Sequence, residues 1–296
     1  MKKYPWKNFL NRFRDTLVAA ARITKDQGIA SLVAQSIEKI QKREFTVIDP
    51  SVYSKQYLIQ ERSKYEETWD RVSDTLDKAK MSVVGYTNED EIHRQGVRNA
   101  DFVERCVRIR PSDVVLEIGC GIGRIGKILA PRCSKWMGTD ISANMIRHAA
   151  QRLKDLNNVE LIKLSKVGLK EIRDESVDVV YCTVVFMHLY EWDRYTYVKE
   201  AYRVLTPSGR CYFDNLDITS KIGWKVFTDG LLRDIDKRPA QLSMISTGEE
   251  LETYAIKAGF SDIKIHRWDD ARVAVTGVKL PLASSSGARS EKFQNA

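Results

Sequence analysis

Glu117 lies near the end of a short apolar run, Val114-Val115-Leu116-Glu117-Ile118, and glycines follow it at 119, 121 and 123. Glycine at a turn lets the backbone approach a ligand that a Cβ would exclude. The loop from Gly119 to Gly123, with Cys120 inside it, is therefore a seat for a small molecule. A carboxylate beside that seat attracts a cationic group and repels a pyrophosphate. A second acid, Asp140, ends the next apolar run, where it can accept hydrogen bonds from both hydroxyls of a ribose. His188 lies in Thr183-Val184-Val185-Phe186-Met187-His188-Leu189, just past a later apolar run. An imidazole with an ordinary pKa of about 6.5 can take a proton from a hydroxyl near neutrality. The alternative is that His188 only packs or hydrogen-bonds at the start of a loop.

These positions require strands and helices in alternation. From Val114 onward short apolar runs do alternate with helical segments, the pattern of parallel βαβ units. Strands are expected at Val114–Ile118, Lys135–Asp140, Val159–Leu164, Val177–Cys182, Gly209–Asn215, Ser261–Trp268 and Arg272–Val278. Only Asp269-Asp270-Ala271 separates the last two, so they should form an antiparallel hairpin. The expected fold class is α/β, a Rossmann-like seven-stranded sheet with a C-terminal antiparallel hairpin, preceded by a helical N-terminal extension.

Helices are read at Ile125–Ala130, after Asp140, and after Thr247-Gly248-Glu249-Glu250, which resembles a capping box. His148, on the helix after Asp140, is expected on its surface. Upstream, one helix carries Tyr65 and Trp69 and runs to about Lys78, and another spans Glu89–Ile109. The stretch 216–246, with Trp224, Phe227 and Arg233, exceeds what a βα connection needs and reads as a substrate cover. The organisation is then a basic amphipathic helical extension (1–48), a helical segment covering the core (49–110), the main domain (111–283) and a disordered tail (284–296).

A strand, a glycine turn and a helix can also seat NAD, and Gly121-Ile122-Gly123-Arg124-Ile125-Gly126 matches GxGxxG. Glu117, Asp140 and the later segments decide against it. Together they resemble the class I S-adenosylmethionine-dependent methyltransferases, and most closely the group typified by the ubiquinone and small-molecule methylating enzymes. Val114 to Gly123 is similar to their first motif and Gly138 to Met145 to their ribose-binding turn. Val177-Asp178-Val179-Val180-Tyr181-Cys182 resembles their fourth strand, Arg203 to Gly209 the turn before the fifth, and Glu249 to Phe260 the helix before the final hairpin.

The resemblance implies S-adenosyl-L-methionine as cofactor. It places Glu117, Gly119, Cys120, Gly121 and Gly123 along the methionine portion, Asp140 on the ribose, and Ile141 and Met145 beside the adenine. The family often has an acid after the third strand that accepts from the adenine amino group. Here Ser165 stands in that place with Lys166 next to it, and a hydroxyl accepts more weakly than a carboxylate. Thr183 and His188 would border the methyl group, with His188 the candidate base. Asp214, Asn215 and Trp224 are the remaining candidates for contact with the acceptor. No metal site is implied.

Composition limits the acceptor and the setting. The chain of 296 residues is 43% apolar and 30% charged, and it has no uninterrupted apolar stretch of the length needed to span a membrane. Its basic start lacks an apolar core or cleavage site, so residence in the cytoplasm is expected, with the inner membrane face as an alternative. The cysteines, 106, 120, 133, 182 and 211, form no CxxC pair and read as reduced, buried thiols. Most of the net charge of +8 lies in residues 1–44, which carry ten Lys or Arg against four acids. Their two apolar stripes would pack on the catalytic domain or on a second copy of the chain, or lie on a membrane.

The segment after the fourth strand lacks the Asp/Asn-Pro-Pro-aromatic run of base-methylating enzymes, which argues against a nucleic-acid acceptor. It also lacks the paired acids of arginine methyltransferases and the acid of metal-dependent catechol enzymes, whose place Thr183 takes. A hydroxyl on a small molecule or on a sugar or glycan unit remains the expected acceptor. N- or C-methylation of a small metabolite is the alternative within this class. Outside it stand a nicotinamide oxidoreductase and a non-catalytic S-adenosylmethionine-binding protein.

Overall fold

The computed structural model describes residues 61–234, 238–268 and 271–281. The expectations for residues 1–48 and 284–296, and for 49–60 of the helical segment, fall outside these. Among the described residues no helix is long and apolar enough to cross a membrane.

Seven strands form one mixed sheet: β1 Val114–Ile118, β2 Lys135–Asp140, β3 Val159–Lys163, β4 Val177–Cys182, β5 Leu205–Leu216, β6 Ser261–Trp268 and β7 Arg272–Val278. Their order is β3-β2-β1-β4-β5-β7-β6. The first five are parallel, and β7 runs antiparallel between β5 and β6. A central parallel strand is covered on both faces, so it is apolar throughout rather than alternating. β1 shows this, with every residue after Val114 buried. Strand order reverses between β1 and β4, and ligands bind at the carboxyl ends of strands at such a reversal. Glu117, Asp140 and Thr183 all lie there.

The expected β5 began at Gly209, but the strand starts at Leu205. Leu205 pairs with Val177, a register shift follows, and Ser208 N donates to Lys279 O at 2.7 Å, so the turn residues are drawn into the strand between β4 and β7.

The helices are α1 Tyr65–Arg71, α2 Leu76–Val84, α3 Glu89–Val107, α4 Gly126–Leu129, α5 Ala143–Leu153, α6 Glu191–Val204, α7 Lys221–Leu231 and α8 Gly248–Ala258. The single helix expected to run through Trp69 to Lys78 is two. Ser73 Oγ bonds back to Trp69 O at 2.5 Å, and Thr75 caps α2 by accepting from Lys78 N at 3.3 Å. Such side-chain bonds offer the backbone an exit from the helix. α8 starts as its sequence implied, with Thr247 Oγ1 accepting from Glu250 N at 3.2 Å.

His148 requires a correction. It is 8% exposed, and its Nε2 lies 2.9 Å from Ser73 O. The outer face of α5 looked free in the sequence because nothing there signalled that α1 packs over it. Asp70 fixes that packing, accepting from Ser142 Oγ at 2.6 Å and from Asn144 N at 3.2 Å.

Candidate active site

A cavity of about 340 Å³ opens at the carboxyl ends of β1, β2 and β4. Glu117, Gly119, Cys120, Gly121, Asp140, Ile141, Met145, Thr183 and His188 all line it. The loop after β1 is shaped by three backbone conformations that favour glycine, with φ of +69° at Gly119, +54° at Gly121 and +74° at Gly123. Cys120 N donates to Thr139 O at 2.8 Å and Gly121 N to Asp140 Oδ2 at 2.9 Å, which ties the loop to β2. Asp140 Oδ1 accepts from Ser142 N at 2.9 Å. A carboxylate has about four acceptor positions, so Asp140 retains capacity for a pair of hydroxyls.

The loop after β4 is strained. Val184 has a φ of +62°, an outlier for a β-branched residue. Asp214 holds it there from below, accepting from Val184 N at 2.9 Å and from Thr183 Oγ1 at 2.5 Å. Asp214 and Asn215 are fully buried and are not among the lining residues. Asn215 Nδ2 instead donates to Ser246 Oγ at 2.5 Å. Trp224, on α7, is 54% exposed and also away from the cavity wall. Ser165 and Lys166 are exposed, and Ser165 Oγ is spent on Glu171 at 2.7 Å. Leu164 lines the cavity in their stead. Gly123 faces away as well, since a Cβ there would come within 2.9 Å of Leu153 on α5.

Tyr65 and Trp69 from α1, and Val83 and Val84 from α2, complete the wall, together with Arg124, Tyr197 and Ser243. Sequence reasoning named Tyr65 and Trp69 only as aromatic positions of a helix. Their i,i+4 spacing, which puts both rings on one face, was the available signal.

Burial sets the charge states. It pushes the Glu117 carboxyl up to about 8, even though Tyr181 donates to it and Arg124 lies near. It raises Asp140 to about 6 against backbone N–H donors that favour the anion. It lowers His188 to about 4. His188 Nδ1 lies 3.0 Å from Gln241 O, a pure acceptor, so Nδ1 carries the proton and Nε2 the lone pair. Its ring meets Trp69 edge-on, with centroids 4.9 Å apart.

These shifts predict a pH profile. The unfolded chain ionises Glu117 and Asp140 at about pH 4, whereas the native state holds their protons to about pH 8 and about pH 6. Their contribution to stability therefore falls as pH rises from about 4 to about 8. His188 acts oppositely, costing stability as pH drops from about 6.5 to about 4. Denaturant unfolding across pH should show a shallower alkaline decline in Glu117→Gln than in the wild type. Superimposable pH dependences would refute the burial of this acid as the cause.

The sheet order, the glycine loop at the reversal point and two buried acids beneath it define a Rossmann-like small-molecule-binding domain. Residues 116–213 match the family model described as a methyltransferase domain. That stretch is a methyltransferase domain of the class I S-adenosylmethionine-dependent kind.

Among its relatives is a phosphoethanolamine N-methyltransferase 1 of Caenorhabditis elegans, 27% identical over 50% of this chain and 30% of that protein. Another is a ubiquinone biosynthesis O-methyltransferase of Psychrobacter arcticus, 24% identical over 50% of this chain and 58% of that one. The chain thus covers less than two thirds of either relative. In fold it is similar to the magnesium protoporphyrin IX methyltransferase of Synechocystis solved with S-adenosylhomocysteine bound. That likeness has a TM-score of 0.55 at 14% identity and covers 74% of this chain and all of that one.

Proposed function

We propose that this chain transfers the methyl group of S-adenosylmethionine to an uncharged small molecule, at a hydroxyl oxygen. The observation carrying this reading is that the cavity combines Glu117 and Asp140 with a neutral His188, while the rest of its wall is largely apolar and aromatic. The donor set fits the cofactor. Glu117 would face the cationic methionine end, Asp140 would take the ribose hydroxyls, and Met145, Ile141 and Leu164 would enclose the adenine. When bound, the cofactor supplies an electrophilic methyl on a sulfonium.

His188 Nε2 would accept the acceptor's proton as the oxygen is alkylated. Held neutral down to about pH 4, it keeps that lone pair throughout the physiological range. Arg124 is the one cation among the described lining residues and lies beside Glu117, so no other described residue of the wall would pair with an anionic acceptor. This favours an apolar ring or chain bearing a hydroxyl over a phosphorylated amine. The relatives carry out both O- and N-methylation by their names.

Saturation with S-adenosylmethionine at about 100 times Kd should stabilise the protein by about 2.7 kcal/mol in a thermal-shift titration, with no effect from NADH. Stabilisation by NADH alone would overturn the reading. His188→Ala should lower turnover roughly 10²-fold with cofactor affinity retained. An unchanged rate would make His188 a structural residue. A screen of hydroxyl-bearing acceptor pools with methyl-labelled cofactor identifies the product class.

A further inference from the structure

Glu117 does not meet the cavity alone. Its Oε2 accepts a 2.6 Å hydrogen bond from the Tyr181 hydroxyl, and the Tyr181 oxygen lies 3.0 Å from Trp136 Nε1. The direction of the chain is fixed by chemistry. An indole N–H can only donate, so the Tyr181 oxygen accepts from Trp136 and turns its own proton toward the carboxylate. All three side chains are buried, with Glu117 2% exposed and the other two fully enclosed.

Three neighbouring strands supply the chain of donors. Tyr181 on β4 is the register partner of Glu117 on β1, and Trp136 comes from β2 on the other side. The indole occupies a slot kept open by two glycines. A Cβ at Gly126 or at Gly138 would come within 2.4 Å of the Trp136 ring. A tryptophan and a tyrosine are thus aimed, across neighbouring strands of the sheet, at the acid on β1 that precedes the glycine loop.

We infer that Tyr181, backed by Trp136, is a positioning residue that orients Glu117 and stabilises its ionised form, and so sets how tightly a cationic ligand binds near neutral pH. This rests on the S-adenosylmethionine reading of the site. A hydrogen bond from a hydroxyl to a carboxylate is stronger than one between neutral groups, and burial strengthens it further. Of the other groups facing Glu117, Arg124 favours the anion and Asp140 opposes it. The Cys120 thiol next to it is kept neutral by burial. Tyr181 is the neutral donor that lets the acid ionise when a cation arrives.

The test is S-adenosylmethionine affinity of wild type and Tyr181→Phe, measured by calorimetry from pH 6 to pH 9. The ratio of the two affinities at each pH cancels the ligand's own titration. Removing one charge-assisted hydrogen bond should raise the Glu117 pKa by about one unit. The variant should therefore bind about tenfold more weakly at pH 6 to 7, and only about twofold more weakly at pH 9. Recovery at alkaline pH separates this from misfolding, which would not be repaired there.

In a Glu117→Gln background, Tyr181→Phe should produce no pH-dependent loss. A ratio near one, a ratio constant across pH, or a pH-dependent loss that persists without Glu117 would each overturn the inference. Absence of wild-type binding at every pH would instead remove the cofactor reading, and the inference with it.

Discussion

Replacing Arg194 by methionine should lower the unfolding free energy by about 3 kcal/mol and cut turnover, while much of the cofactor affinity survives. Arg194 is 1% exposed on α6, and its guanidinium gathers three segments of chain. Nε donates to Phe186 O at 2.8 Å, Nη2 to Met244 O at 3.0 Å, and Nη1 to Ser246 Oγ at 2.8 Å and Glu250 Oε1 at 3.0 Å. Removing one partner of a buried pair leaves the others unsatisfied, at a cost of about 3–5 kcal/mol. The lower end applies because the Glu250 side chain is 28% exposed and can be rehydrated.

The loss reaches the site through the turn Phe186–His188 and the strip around Ser243. Met244 N donates to Met187 O at 2.6 Å, and Gln241 O orients His188. With Arg194 gone, both anchors of His188 loosen together. Urea unfolding followed by calorimetric titration of the folded variant measures each part. A change of less than about 0.5 kcal/mol, within the range of an ordinary surface substitution, would refute this account.

Gly119→Val should weaken S-adenosylmethionine binding by about 10²-fold or more. The backbone there has a φ of +69°, and a Cβ would stand 2.4 Å from Val185 Cγ2. Holding a β-branched residue in the left-handed region costs about 1–3 kcal/mol, and 2.7 kcal/mol corresponds to about a hundredfold in affinity. The protein can avoid the strain only by moving the loop or Val185, and both line the cavity. The double variant Gly119→Val with Val185→Ala should regain part of the affinity by removing the clash while leaving the strained φ. If Gly119→Val binds as the wild type does, the loop has no role in seating the ligand.

The sheet was legible because its strands are short apolar runs buried on both faces, bounded by glycine or polar turns. Six of the seven expected strands match to within a residue, as Lys135–Asp140 and the hairpin Ser261–Trp268 with Arg272–Val278 illustrate. Glu117, the glycines at 119 and 121, and Asp140 were legible because each is required by local geometry at the end of a strand. Less legible were positions whose surroundings come from outside their own strand and turn. Ser165 follows its strand as the pattern implied, yet a bond to Glu171, six residues on, turns it from the cavity to solvent. Asp214 lies near the end of its strand, but the β4 loop folds over it and takes both of its oxygens.

What the sequence determined by itself was therefore the alternating sheet, the glycine loop and the two acids beneath it, since neighbouring residues along one chain fix strand, turn and cap. The tertiary structure alone decided three other things: that α1 and α2 close the cavity with Tyr65 and Trp69, that His148 is buried, and that Trp136 reaches across β1 to Tyr181 and Glu117. Their physical reason is shared. Each depends on contacts between segments far apart in sequence, where packing and the pairing of buried polar groups select one arrangement that no local pattern encodes.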